Sequence, residues 1–371
     1  MFITIIIFLV ILSVLVLIHE AGHFIVAKLL KIKVEEFGFG LPPRAFGIKY
    51  GETLYSINWL PIGGFVKLYG EDEAGSGRPQ VKSQNAKVKT EDAHRAFYAR
   101  PIWQRALVVV AGVFMNFALA VAIITILFSV VGVATGGDKV VVTDVVNGAP
   151  AQKAGLKVND TIEYINNIKI TSPNQLISYT KEHLGEKLTL KIRNPKSEIR
   201  NLEVVPRKEY PANQGPMGVA ISQNIITVKY PWYKAPFVGT YEALKQSYAI
   251  ASGLGSLVVN LFTKGDVPQG VAGPVGIAQL TGIFCANIAS CLSFTGLLSL
   301  NLAILNILPI PALDGGRFFF ILIEAVTRRK VNRKVEGYAH AIGMAVLLAL
   351  IALITINDLI RVFTGQPIIP K

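Results

Sequence analysis

Between Phe2 and Ala27 the only formally charged side chain is Glu20, and it stands in "HEAGH" between His19 and His23. A run this long and this apolar crosses a membrane, because about 20 apolar residues rising ~1.5 Å each span the hydrocarbon. It lacks the basic n-region and small-residue cleavage site of a signal peptide, so it is expected to stay as the first span. Three more apolar segments follow: Ala106 to Thr135, a shorter one from roughly Phe294 to Leu308 with its preceding residues, and Ala339 to Ile360. With 51% apolar and only 16% charged residues, the chain reads as an α-helical polytopic membrane protein of about four transmembrane helices. The net charge of +13 does not point to nucleic acid, since from Lys28 to Arg105 13 Lys/Arg are interspersed with 8 Asp/Glu. The partner that this composition implies is the lipid bilayer.

Basic residues near the span ends set an orientation. Lys28, Lys31 and Lys33 follow span one, Arg95, Arg100 and Arg105 precede span two, and "RRKVNRK", Arg328 to Lys334, precedes span four. These ends are expected to face the cytoplasm. The N-terminus, the region from Gly136 to about Thr281 and the C-terminus then lie outside.

Between spans one and two, Glu35 to Glu71 alternates apolar and polar residues and is broken by Gly and Pro, which predicts short strands and turns. Phe37, Phe39, Trp59 and Phe65 make it apolar enough to be a membrane-re-entrant β-hairpin, whose backbone must be buried in protein or line a wet cavity. Gly75 to Asp92 is polar and predicted to be flexible. The outer region reads as a separate soluble α+β domain: a strand, a short helix near Pro150, turns at Asn159-Asp160 and Asn166-Asn167, a helix from about Ser172 to His183, and two more strands. Through "GAPAQKAGL" and "NDTIEYINN" it resembles a PDZ domain, although no carboxylate-binding loop is obvious. Pro231 to Lys264 reads as an amphipathic helix on the outer surface. The expected divisions are thus residues 1–135, an N-terminal membrane part; 136–208, the PDZ-like domain; 209–283, a linker with the amphipathic helix; and 284–371, a C-terminal membrane part. Cys285 and Cys291 are too few for a disulfide framework; they either pack or form one local bridge.

Residues four apart on a helix share a face, so His19 and His23 can offer two imidazole nitrogens to one metal while Glu20 points beside it toward a water. Eighteen residues precede His19, roughly 27 Å of helix, which puts the pair near the cytoplasmic edge of the hydrocarbon. Structural hydrogen bonding within a bundle is the bland reading, but three such groups in one turn carry an insertion cost with no packing gain. A hydrolytic zinc site needs a third protein ligand and an open position. Glu35 and Glu36 sit too close in sequence. Asp314, in "NLAILNILPIPALDGGRFFF", stands at matching depth between Pro309 and Pro311 and the flexible Gly315-Gly316; His94, His183 and His340 are weaker candidates. Alone, Asp314 could equally be a helix cap.

These residues, together with "GFGLPPRAFG", "LPIGGFVKLYGE", "GVAGPVGIAQLTG" and the PDZ-like insertion, resemble the site-2 protease family of intramembrane zinc metalloproteases, in its bacterial branch with PDZ domains. The resemblance implies a zinc metalloendopeptidase with His19, His23 and Asp314 as Zn2+ ligands and Glu20 as catalytic base. It implies substrate contacts at Asn301, Asn306, Pro309 and Pro311, and a hairpin, with Gly38, Gly40, Gly63 and Gly64, that holds substrate extended. Expected substrates are single-span membrane proteins such as anti-sigma factors, or remnant signal peptides, already shortened by a site-1-type protease, in the cell (inner) membrane. Two departures stand out: Val113 where Pro is common and Arg317 where His is frequent, neither expected to touch the zinc site. The alternative is a PDZ-bearing membrane scaffold or receptor with a structural zinc site, which would have no use for Glu20. Serine or aspartyl intramembrane proteolysis fares worse, since no Ser/His pair or second intramembrane Asp is apparent.

Overall fold

The structure, a computed structural model, describes residues 2–71, 90–211, 214–264 and 272–364. The chain opens with α1 (Phe2–Leu29), β1 (Val34–Tyr50), β2 (Thr53–Leu68) and α2 (Ile102–Ile126). There follow β3 (Val133–Val145), α3 (Pro150–Lys153), β4 (Thr161–Ile165), β5 (Ile168–Lys169), α4 (Pro173–Glu182), β6 (Leu188–Arg193), β7 (Ile199–Val204) and β8 (Val219–Val228). It closes with α5 (Ala235–Lys264), α6 (Pro274–Phe284), α7 (Ile288–Ile307), α8 (Asp314–Thr327) and α9 (Arg333–Thr364). Two compact units result, Met1–Ser129 with Pro231–Lys371, and Val130–Tyr230.

Among the described residues, four helices are long and apolar enough to cross a membrane, Ile3–Leu29, Ile102–Val131, Ile288–Ile307 and Lys334–Thr364, which fits a multi-pass membrane protein. The third is longer than its apolar run suggests. Asn287 accepts the Ser290 N–H at 2.9 Å and caps α7 there, so that polar Ser290 and Cys291 are carried inside the helix. Cys285 and Cys291, at the junction of α6 and α7, form a disulfide, which settles the choice left open by the sequence. Helices α1 and α2 cross at small residues: a Cβ on Gly22 would lie 2.4 Å from the Ala111 carbonyl oxygen. Without Cβ atoms the backbones approach far enough for dispersion to hold apolar helices together.

The expected hairpin is present, with each strand folded on itself. Phe37, in the first half of β1, is beside Val66 of late β2 on one side and Tyr55 of early β2 on the other; Tyr55 in turn pairs with Ile48 of late β1. The late part of β2 is therefore an outer strand. Its position against α1 is held by Ser13, which donates to the Pro61 carbonyl at 2.9 Å. At the turn, Glu52 receives Lys28 at 2.9 Å and Arg95 at 2.8 Å, tying the hairpin tip to the end of α1. Of the stretch expected to be flexible, residues 75–89 lie outside the described residues, and 90–92 open a short 3₁₀ turn, Thr90–Arg95.

The second unit is one sheet in the order β7-β6-β4-β3-β8, with β5 on β4. Alternation puts Val140, Val142, Ile162, Leu188, Leu190 and Ile192 inward against Leu176 of α4, all at most 0% exposed. The unit reaches beyond the expected 136–208. Strand β8, assigned by the sequence to a linker, pairs with β3 from Val133↔Val228 to Val145↔Val219, because "VAISQNIITV" has the strand pattern once an edge is there to receive it.

One expectation about the last span is corrected. Asp358, within the membrane-length helix Lys334–Thr364, is a second intramembrane aspartate; 2% exposed, it accepts the Gly276 N–H at 2.7 Å. It serves the first turn of α6, where a helix leaves its N–H groups unpaired.

Candidate metal centre

Two helices supply three donor atoms. His19 and His23 face one way from α1, and Asp314 is the first residue of α8. His19 Nε2 lies 2.8 Å from Asp314 Oδ2 and 3.2 Å from His23 Nε2, which is 3.2 Å from the same Oδ2. Their side chains are 8%, 13% and 19% exposed. For metal–ligand bonds of about 2.0–2.1 Å, donors at tetrahedral corners stand roughly 3.3 Å apart, so the triangle fits zinc.

The partners of the other ring nitrogens support the fit. His23 Nδ1 is 2.7 Å from the Val108 carbonyl oxygen, which only accepts, so Nδ1 carries the proton and Nε2 presents a lone pair. His19 Nδ1 faces Asn116, a fully buried side chain of α2 whose amide nitrogen is 3.4 Å away and whose Oδ1 has no partner. Turning that amide over would let Oδ1 accept the His19 Nδ1–H, which leaves His19 Nε2 with a lone pair. Ser299 of α7 anchors Asn116 by donating to its carbonyl at 2.7 Å. Three lone-pair atoms then converge in a buried space, a donor set that could hold a metal ion.

Close backbone approach makes this packing feasible. A Cβ on Gly112 of α2 would lie 2.4 Å from His23 Nε2 and 2.8 Å from His19 Nε2. After α7, the chain folds back so tightly that a Cβ on Gly315 would be 2.1 Å from the Leu308 carbonyl oxygen, and one on Gly316 2.5 Å from that of Ile310.

Glu20 is beside the triad, and its Oε2 accepts the Val66 N–H of β2 at 2.9 Å. A cavity of about 120 Å³ is lined by Glu20, His23, Val66, Glu71, Asp314 and Arg317. A second, of about 300 Å³, is lined by His19, Glu20, Asn116, Asn306, Leu313 and Asp314 among others. Of the expected substrate residues, Asn306 is thus at the site, and a Cβ on Gly64 would come within 3.7 Å of Glu20. Gly63 adjoins Val16, and Gly38 packs under Phe65. Asn301 turns back to the Leu297 carbonyl, Gly40 lies against Leu60 within the hairpin, Pro309 is exposed and Pro311 lies against Gly343; none of these four lines either cavity.

The weaker ligand candidates are elsewhere. Glu35 pairs with Lys67 and Glu36 with Arg44, His94 lies in the 3₁₀ turn Thr90–Arg95, and His183 stacks on Tyr179 in the second unit. Arg317 corrects an expectation: one helical turn after Asp314, it lines the smaller cavity and pairs with Glu71, whose other oxygen accepts the Leu68 N–H. Sequence reasoning missed Gly112, Asn116, Glu71 and Arg317. Gly112 and Asn116 stand within three residues of Val113, a position the sequence singled out, but only the α1–α2 crossing shows that they face the histidines.

Residues 7–350 match the family model described as Peptidase family M50. A candidate zinc metalloprotease of Clostridium acetobutylicum is 35% identical, over 94% of this chain and 95% of that protein. The zinc metalloprotease RasP of Geobacillus kaustophilus is 31% identical over 97% of this chain and 98% of its own length. The regulator of sigma-W protease RasP of Bacillus subtilis is 30% identical, over 97% and 99% respectively.

Proposed function

Since this chain belongs to peptidase family M50, the site-2 protease family, we propose that it hydrolyses peptide bonds of single-span membrane proteins or remnant signal peptides within the bilayer. It is a zinc metalloprotease. His19, His23 and Asp314 would hold the zinc, which when bound polarises the scissile carbonyl and makes a water acidic. Glu20 takes that water's proton. Its Oε2 is held by the Val66 N–H, which fixes the carboxylate beside the triad and leaves the other oxygen for the proton. The observation that carries this reading is the convergence of the three donors and Glu20 on shared cavities.

A helical substrate hides its peptide bonds in its own hydrogen-bond ladder, so cleavage requires unwinding and replacement backbone partners. The outer strand formed by late β2, with Val66 turned to Glu20, offers such partners next to the site. Asn306 stands where the unwound segment would pass. We place the zinc site near the cytoplasmic side and Val130–Tyr230 outside, in the inner membrane, from the Lys/Arg bias. Substrates of the anti-sigma type, trimmed first by a site-1-type protease, are what the family resemblance implies, and the Bacillus subtilis relative's name, regulator of sigma-W protease, supports a link to a sigma factor. The test is to incubate purified protein with a tagged single-span substrate shorn of its outer domain. Cleavage is expected, and a zinc chelator is expected to abolish it; cleavage that persists at full rate in chelator would overturn the reading.

The second unit, read as a PDZ domain, would act as a filter. It supplies none of the described metal donors, and a cavity of about 560 Å³ lies between α4 and the outer strand β8, lined by Leu176, Ile177, Met217, Val219 and Ile221 among others. A chain lacking residues 133–228 is expected to cleave untrimmed substrates that the full chain rejects. Slower cleavage of trimmed substrates by that chain, with untrimmed ones still refused, would show recruitment through the groove instead.

A further inference from the structure

Helix α9 meets the rest of its unit sparsely: only 6% of its apolar window is buried. One of its few polar contacts lands two residues before Asp314. The ring of His340, 5% exposed, accepts the Ala312 N–H on Nδ1 at 2.9 Å. One turn further along the same face, Gly343 lies so close to Pro311 that a Cβ there would be 2.4 Å from the Pro311 carbonyl oxygen. Ala312 itself has φ +88°, a conformation that suits glycine and that an alanine keeps only when its surroundings hold it. The alanine is also what aims the next two residues, Leu313 and Asp314, into α8 with Asp314 Oδ2 turned to both histidines.

We propose that His340 is a positioning residue of the metal centre: through the Ala312 N–H, α9 holds the 311–313 loop in the strained conformation that presents Asp314 to His19 and His23. This rests on Asp314 being a zinc ligand. His340 touches neither the metal donors nor Glu20; it acts through one backbone N–H. Because Nδ1 is the accepting atom, the amide oxygen of asparagine can replace it and that of glutamine, set one bond further out, cannot.

The experiment compares His340→Asn, His340→Gln and His340→Phe in the purified full chain, measuring zinc dissociation constants by chelator competition alongside thermal unfolding midpoints. Outer partners of metal ligands typically change affinity by about 10–100-fold. His340→Asn is expected to stay within about threefold of the parent, and His340→Gln and His340→Phe to weaken zinc at least about tenfold. Adding Ala312→Gly to His340→Phe is expected to recover much of the loss, since glycine accepts φ +88° without being held. Equal affinity in all variants would overturn the proposal, and so would equal loss in Asn and Gln, which would mean a packing role alone. If His340→Phe does not fold, the Asn/Gln pair still decides. Full zinc retention in Asp314→Ala would instead overturn the ligand assignment beneath it.

Discussion

Glu20→Gln is expected to bind zinc at native stoichiometry and to lose turnover by about 10²–10⁴-fold, the range general-base groups contribute. Asp314→Ala and His23→Ala are expected to lose the metal itself. The split follows from geometry. Asp314 Oδ2 and His23 Nε2 are corners of the donor triangle, and removing either leaves two ligands where a hydrolytic zinc site uses three. Glu20 instead faces the cavity and the Val66 N–H, and a glutamine oxygen can still accept that bond while being unable to take a proton. Elemental analysis of the purified variants and single-turnover cleavage measure the two effects separately. Native zinc content in Asp314→Ala would refute the ligand set, and near-native turnover in Glu20→Gln would remove Glu20 as the base.

An alanine at position 112 is expected to empty the metal site while leaving the fold in place. In an ordinary helix interior Gly→Ala favours the helix by about 1 kcal/mol. Here the new Cβ would stand 2.4 Å from His23 Nε2 and 2.8 Å from His19 Nε2, close to the distance at which zinc itself must sit from those nitrogens. The methyl would push both rings away from the positions in which their nitrogens meet Asp314. Zinc affinity is expected to fall by more than about a hundredfold, with a thermal midpoint in detergent close to that of the parent. Unchanged zinc affinity would mean that α1 and α2 separate enough at this crossing to admit the methyl, and that the close approach of Gly112 to the histidines is not a determinant of the site.

The early part of the chain was legible because its signals are local. An apolar run with His19, Glu20 and His23 in one turn declares both a span and a face, since burying those groups without a purpose costs free energy at every depth. Strand alternation likewise declared the hairpin and most of the second unit. The sequence was silent wherever a signal needs two segments. Strand β8 has no reason to be a strand until β3 offers its edge, and α7 starts at Asn287 through a cap rather than an apolar boundary.

By itself, then, the sequence determined the four spans, the inserted sheet domain and the identities of His19, Glu20, His23 and Asp314 as candidates, because periodicity, apolar length and residue type are properties of contiguous chain. Only the tertiary structure decided which atoms meet. The 2.8 Å contact between His19 and Asp314 bridges 295 residues. The groups that support it come from α2, β2 and α9: Gly112 leaves room, Asn116 and the Val108 carbonyl orient the rings, the Val66 N–H holds Glu20, and His340 holds the loop. A backbone N–H or carbonyl is the same in every residue, and the absence of a side chain at a crossing looks like any other glycine. Such contributions carry no letter in the sequence, so they appear only when packing brings the segments together.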